Sequence, residues 1–202
     1  MKLYYSPGAC SLSTHIAMLE AGLSFELVLA STKTHLLIDG TDYHTINPLG
    51  YVPLLELDEG TRLSEVAAIL QYIADQAPNA GLAPLAGTLQ RYQLMAWLNL
   101  IATELHKGFS PLFNKSTPEV YKPLCKAHLL ERFAWVNTQL QEKAFLMGET
   151  YTVADMYLFN VSNWAHVVGL KLTDFPQLLE WRKRISERPA VRAAMKAEGL
   201  LK

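Results

Sequence analysis

The sequence predicts a two-domain protein, with an α/β domain over residues 1–77, a linker at 78–87 and an all-helical domain over 88–202. Three observations predict it. Up to about residue 77, short β-like runs alternate with helical ones. Turn-forming residues then cluster in Ala77-Pro78-Asn79-Ala80-Gly81 and at Pro84. Beyond them strand signals vanish and long helical periodicities take over. Half of the residues are hydrophobic, 18% are charged and the formal net charge is -1. That is the composition of a folded globular chain, with no basic excess for a nucleic-acid partner.

In order along the chain, Lys2 to Tyr5 reads as a strand. Leu12, Ile16, Leu19 and Leu23 recur at i, i+4, i+7 and i+11, which makes 11–21 an amphipathic helix closed by Gly22. Phe25 to Ala30 supplies a second strand, parallel to the first because the helix is the crossover. A weakly patterned loop and helix region follows, then Asn47-Pro48-Leu49-Gly50-Tyr51-Val52-Pro53, whose prolines exclude a regular helix. Leu54 to Leu57 and Arg62 to Ser64 flank Asp58-Glu59-Gly60, a hairpin signal, and a helix runs from about Glu65 to Gln76. The order β-α-β-α-β-β-α is that of a thioredoxin-type domain.

The second half predicts helices near 88–114, 118–143, 153–168, 175–187 and 190–198, with Pro118 and Pro189 in first turns that tolerate them. No repeat or low-complexity segment interrupts it. The apolar start is broken by Pro7 and Gly8 too early for a signal peptide, and no run approaches the ~18 apolar residues of a membrane span. Cys10 and Cys125 are the only cysteines, so a disulfide framework is excluded and a reducing, cytoplasmic setting is expected.

Cys10 falls where the first strand gives way to the first helix. A thiol there faces unpaired N–H groups and the positive end of the helix dipole, which favour thiolate. The alternative is inert packing, as for Cys125; the turn-rich, polar surroundings Ser6-Pro7-Gly8-Ala9 and Ser11 favour the first reading. Ser13 stands where a C-x-x-C motif would place its second sulfur, so any thiol chemistry needs an external partner. Val52-Pro53 is either an ordinary trans proline at a strand start or a cis turn that offers the Val52 backbone to an extended peptide. Ser64-Glu65 is either a plain N-cap with a first-turn acid, or a helix start whose amides at 65 and 66 hold a carboxylate while the Glu65 side chain meets an ammonium group.

In the long helix, Leu94, Leu98, Ile101 and Leu105 form an apolar stripe, while Asn99, Thr103 and His106 recur at i, i+4 and i+7 on the other side. His106 and Lys107 add a titratable donor and a positive charge. Thr152-Val153-Ala154-Asp155 fits a capping box, and the apolar run from Met156 to Trp164 marks a central helix.

Taken together these segments resemble the glutathione transferase family, specifically the bacterial beta class. The resemblance spans essentially the whole chain, through Tyr4-Tyr5-Ser6-Pro7-Gly8-Ala9-Cys10-Ser11, the segment 47–53, Trp97-Leu98-Asn99, Glu104-Leu105-His106-Lys107-Gly108-Phe109 and 152–155. It implies a homodimer that binds glutathione as co-substrate, without a metal, and conjugates it to a small hydrophobic electrophile. By matching position it implies Cys10 near the glutathione sulfur, Val52 as backbone clamp, and Glu65 with Val66 at the γ-glutamyl end. It also implies Asn99 reached from the partner subunit, and Thr103, Glu104, His106 and Lys107 on the helix beside the thiol. His35 stands where the class often has Lys, Tyr51 where Gln is common, and Val66 where Ser or Gly is usual. Two other readings use the same scaffold: a thiol-disulfide reductase acting through Cys10, and a ligand-binding or stress-response protein without turnover.

Overall fold

The computed structural model describes residues 1–201. The chain divides into two compact units, Met1–Leu82 together with the segment from Arg188 on, and Ala83–Glu187.

The first unit is built on a four-stranded mixed sheet of order β2-β1-β3-β4, with β1 at Lys2–Tyr5, β2 at Glu26–Leu29, β3 at Leu54–Glu56 and β4 at Arg62–Ser64. β1 and β2 are parallel, and α1 (Ser11–Glu20) crosses between them as the periodicity requires. Leu12, Ile16, Ala17 and Met18 are buried on α1, and Ile69, Leu70 and Ile73 on α2 (Val66–Gln76). The fold class is the one expected, with one local difference. The second helical segment is reduced to the 3₁₀ turn Tyr43–Thr45, capped by the Asp42 carboxylate. Around it, isolated bridges pair Ala30 with Leu37 and Leu36 with Asp42.

The last helix of the chain (Pro189–Ala197) groups with this unit, where the sequence had assigned it to the helical domain. Its polar ends explain the difference. Arg188 forms a two-pronged ion pair with Glu20 of α1, at 2.7 and 2.9 Å. The buried Glu198 carboxylate accepts the Gly8 N–H at 2.9 Å and lies 3.0 Å from Nδ1 of His15. A carboxylate withdrawn from water needs such partners, and only the first unit supplies them.

In the second unit α3 (Leu89–Leu100) continues through a π-helical segment, Ile101–His106, into α4 (Lys107–Phe113). α5 (Lys122–Gln139), α6 (Val153–Val167) and α7 (Pro176–Ser186) follow, and Pro189–Ala197, the last helix, is α8. α6 is central, with every residue from Val153 to Ser162 buried. Its capping box is formed as expected. Asp155 accepts from the Thr152 and Leu146 amides, both at 2.9 Å, and from Nε1 of Trp181 at 3.0 Å. Burial pushes the Asp155 carboxyl up to about 6 in spite of those donors.

Candidate active site

β1 leads into a turn whose Gly8 sits in the left-handed region, φ 70°, and whose next step is Cys10, the N-cap of α1. The first amides of α1 are not open to the thiol as the sequence predicted. Leu12 and Ser13 donate to the carbonyls of Ala9 and Cys10, and the Ser13 hydroxyl also closes on Cys10 at 2.6 Å. The half-buried Cys10 thiol instead donates to the carbonyl of Val52 at 3.1 Å.

Val52-Pro53 is a cis peptide, one of the two alternatives the sequence left open. Ahead of it Tyr51 is held through its carbonyl, which accepts from the Tyr43 hydroxyl at 2.9 Å and the Asn47 side-chain amide at 2.8 Å. The Val52 N–H has no partner among the described residues. The registers Tyr4 to Leu54 and Leu54 to Ser64 set the Cys10 turn, the Val52-Pro53 turn and the start of α2 at the same end of the sheet. The geometry therefore brings three of the sequence-selected segments together.

At that start the assignment of cap shifts by one residue. Ser64 ends β4, and Glu65 is the N-cap of α2, with φ 68° and a side chain that is exposed and makes no capping bond. A non-glycine residue in the left-handed region is strained, and here it leaves the carboxylate free for an external cation. The amides of Val66 and Ala67 have no partner among the described residues, as is usual for first-turn amides of a helix.

His35 also has positive φ, 54°, and its ring lies tilted against that of His44, 4.5 Å between centres. Both rings lie against Gly50, where a Cβ would come within 2.6 Å of His44 and 2.8 Å of His35 Nδ1. Only glycine fits there. His35 Nδ1 is buried without a hydrogen-bond partner among the described residues.

In the second unit the expectation that Asn99, Thr103 and His106 share a face does not hold. Asn99 and Thr103 are exposed, and the Thr103 hydroxyl donates to the Asn99 carbonyl at 3.0 Å. The π-helical turn between them and His106 winds more slowly than an α-helix, so the 3.6-residue count fails at His106, which is half-buried. There its Nδ1 lies 2.6 Å from the Tyr157 hydroxyl, and its ring meets Trp164 edge-on at 4.9 Å. Burial, and secondarily the charge of Lys107, pushes the imidazole down to about 4. His106 is consequently neutral at neutral pH. Because a phenol is a better donor than acceptor, Tyr157 donates to Nδ1, which leaves Nε2–H as a directed donor. Lys107 is exposed. Glu104 has a partner of its own in Arg132 Nε at 2.8 Å, a bond that holds its carboxyl below the ordinary range.

Sequence reasoning missed Glu198, and left Tyr157 as core. Glu198 carries no local signal, since its partners are far away in the chain. Tyr157 had one: a phenol on a helix otherwise apolar all round requires a buried polar partner.

Residues 8–76 match the glutathione S-transferase N-terminal domain and residues 100–189 the C-terminal domain of the same name. The chain is 46% identical over 200 residues to the glutathione S-transferase GstA of Escherichia coli O157:H7, which covers 99% of this chain and 100% of that one. The chain belongs to the glutathione transferase family. Among solved structures, this transferase is similar to a beta-class enzyme of Sphingomonas chungbukensis, with TM-score 0.96 and 43% identity over the whole of both chains. A sphingomonad glutathione S-transferase solved in complex with glutathione matches with TM-score 0.95 and 42% identity, again over both full lengths. The transferase is thus a beta-class member by sequence and by fold, and a glutathione transferase by activity.

Proposed function

We propose that the enzyme binds glutathione and conjugates its thiol to small hydrophobic electrophiles, with Cys10 and His106 as catalytic residues. The Cys10–Val52 hydrogen bond carries the reading. A carbonyl oxygen binds an S–H and not a thiolate, so the resting geometry presents Cys10 as a thiol, a donor suited to a neighbouring sulfur anion. In this reading the Val52 N–H pairs with the cysteinyl backbone of glutathione. The amides at the start of α2 take the γ-glutamyl carboxylate and Glu65 its ammonium group, while His35, Asn99, Thr103, Glu104 and Lys107 complete the binding set. The relative solved with glutathione supports the choice of ligand.

An unperturbed thiol titrates near ~8.5, so holding glutathione mostly ionised at neutral pH asks for roughly 2.7 kcal/mol. A helix terminus gives ~0.3–1 kcal/mol in ordinary sites, whereas a hydrogen bond to a charged group gives roughly 1.5–3 kcal/mol. Donors therefore do more than the dipole. Cys10 S–H and the neutral Nε2–H of His106 are the donors we assign.

We further infer a homodimer acting in the cytoplasm on electrophiles that would otherwise modify cellular nucleophiles. Thermal melting against a glutathione series tests the ligand, with stability expected to rise with concentration. A flat series up to millimolar glutathione overturns the assignment. Sedimentation at micromolar protein tests the dimer, and a single 22.6 kDa species would exclude it.

A further inference from the structure

The π-helical winding of Ile101–His106 is a rare one, kept where neighbouring contacts select it over the α-helix. A continuous α-helix over the same residues would turn His106 from its present direction by roughly 100°, the angle of one residue. Its contact with the Tyr157 hydroxyl would then be lost. Charge holds the segment on the side of α5. Glu104, inside the π turn, accepts from Nε of Arg132 at 2.8 Å and lies 3.4 Å from Nε2 of His128. Glu131 stands 3.7 Å from Nη1 of Arg132, so the guanidinium has two carboxylates about it. Gly108, four residues beyond Glu104, permits this approach of α5, since a Cβ there would come within 2.9 Å of Leu129 Cδ2. At the entrance of the turn the Thr103 hydroxyl donates to the Asn99 carbonyl, where the backbone ladder changes its spacing.

We propose that Arg132 is a positioning residue for conjugation: it anchors Glu104, Glu104 holds the π turn, and the turn aims the imidazole of His106. The inference rests on the assignment of His106 as a catalytic residue. The Glu104 and Arg132 side chains are 38% and 34% exposed, so water screens the pair and it adds little to the stability of the whole fold. Its effect lies in the local choice between two windings of the same six residues. Loss of Arg132 therefore reads out at His106 before it reads out in melting.

The test uses the full-length protein and Arg132→Met, which keeps most of the side-chain stem and removes the charge. Melting should stay within about 3 °C of wild type. With an aromatic halide as electrophile, kcat should fall about fivefold while KM for glutathione stays within about twofold. The ¹⁵N spectrum of the His106 imidazole, recorded without ligand, should show a second tautomer beside the Nε2–H form. Arg132→Lys keeps a cation near Glu104 and should hold kcat within about twofold of wild type. The proposal is overturned if Arg132→Met leaves the His106 spectrum unchanged, or raises KM for glutathione with kcat intact. A lysine variant as impaired as the methionine one also overturns it, because the ion pair would not be what matters. An altered spectrum with unchanged kcat upholds the anchoring and overturns the catalytic assignment of His106 on which the inference rests.

Discussion

The Tyr157 hydroxyl stands 2.6 Å from Nδ1 of His106, and this contact decides which nitrogen of the imidazole carries the proton. Tyr157→Phe removes the donor and frees the ring to adopt either tautomer. Conjugation should fall about tenfold in kcat, in keeping with loss of one buried hydrogen bond. Imidazole ¹⁵N shifts should move from a single Nε2–H form to a mixture. An unchanged spectrum would show that the tautomer is fixed by something else.

His106 also makes stability depend on pH. Its value falls from 6.5 to about 4 on folding, because burial disfavours the cation. Between those values the unfolded chain binds a proton that the folded one refuses, so stability present above about 6.5 is lost as pH falls toward 4. The loss should be on the order of 3 kcal/mol relative to His106→Gln in the same buffers. Asp155, raised to about 6, acts in the opposite sense, since the folded state protonates first as pH falls. The difference between wild type and variant cancels that contribution. Parallel unfolding curves at pH 7 and pH 4.5 are the measurement.

Cys10→Ser preserves a small donor facing Val52. It should retain much of the conjugation toward an aromatic halide while nearly abolishing mixed-disulfide reduction, because a hydroxyl cannot replace a thiolate nucleophile. His106→Ala should lower conjugation and raise the apparent pKa of the bound thiol in the pH–rate profile. Reductase activity surviving in Cys10→Ser would remove Cys10 from the reaction.

Glu198→Ala strips Gly8 and His15 of a buried acceptor. We expect about 3 kcal/mol of destabilisation, the scale of losing two bonds to a buried charge. Since Gly8 belongs to the turn that carries Cys10, the KM for glutathione should rise as well. Glu198→Gln, which keeps an acceptor for Gly8, should recover part of that KM. A KM indifferent to both changes would confine Glu198 to folding.

What the sequence revealed was local chemistry. Gly8 before Cys10, the two prolines around Tyr51 and the Thr152–Asp155 spacing each act within a few residues, and each stands where it was expected. The misreadings share the opposite character. Nothing in Ile101–His106 marks a π-helical turn, so a strict 3.6-residue count put His106 on one face with Asn99 and Thr103. The Cys10 thiol was aimed at its own helix because its true acceptor, Val52, lies across the sheet. The 31–46 region was weak in pattern because it folds as bridges and one short turn, without a repeating face.

The return of α8 to α1 makes Ala83–Glu187 an insertion within the first unit. During synthesis the strands around Cys10 emerge early, yet the Glu20 and His15 side chains acquire Arg188 and Glu198 only when nearly all of the chain has been made. The thiol-bearing turn is therefore among the last parts of the first unit to be fixed. An incomplete chain carries the reactive loop with its local bonds to Ser13 and Val52 but without the Glu198 acceptor at Gly8.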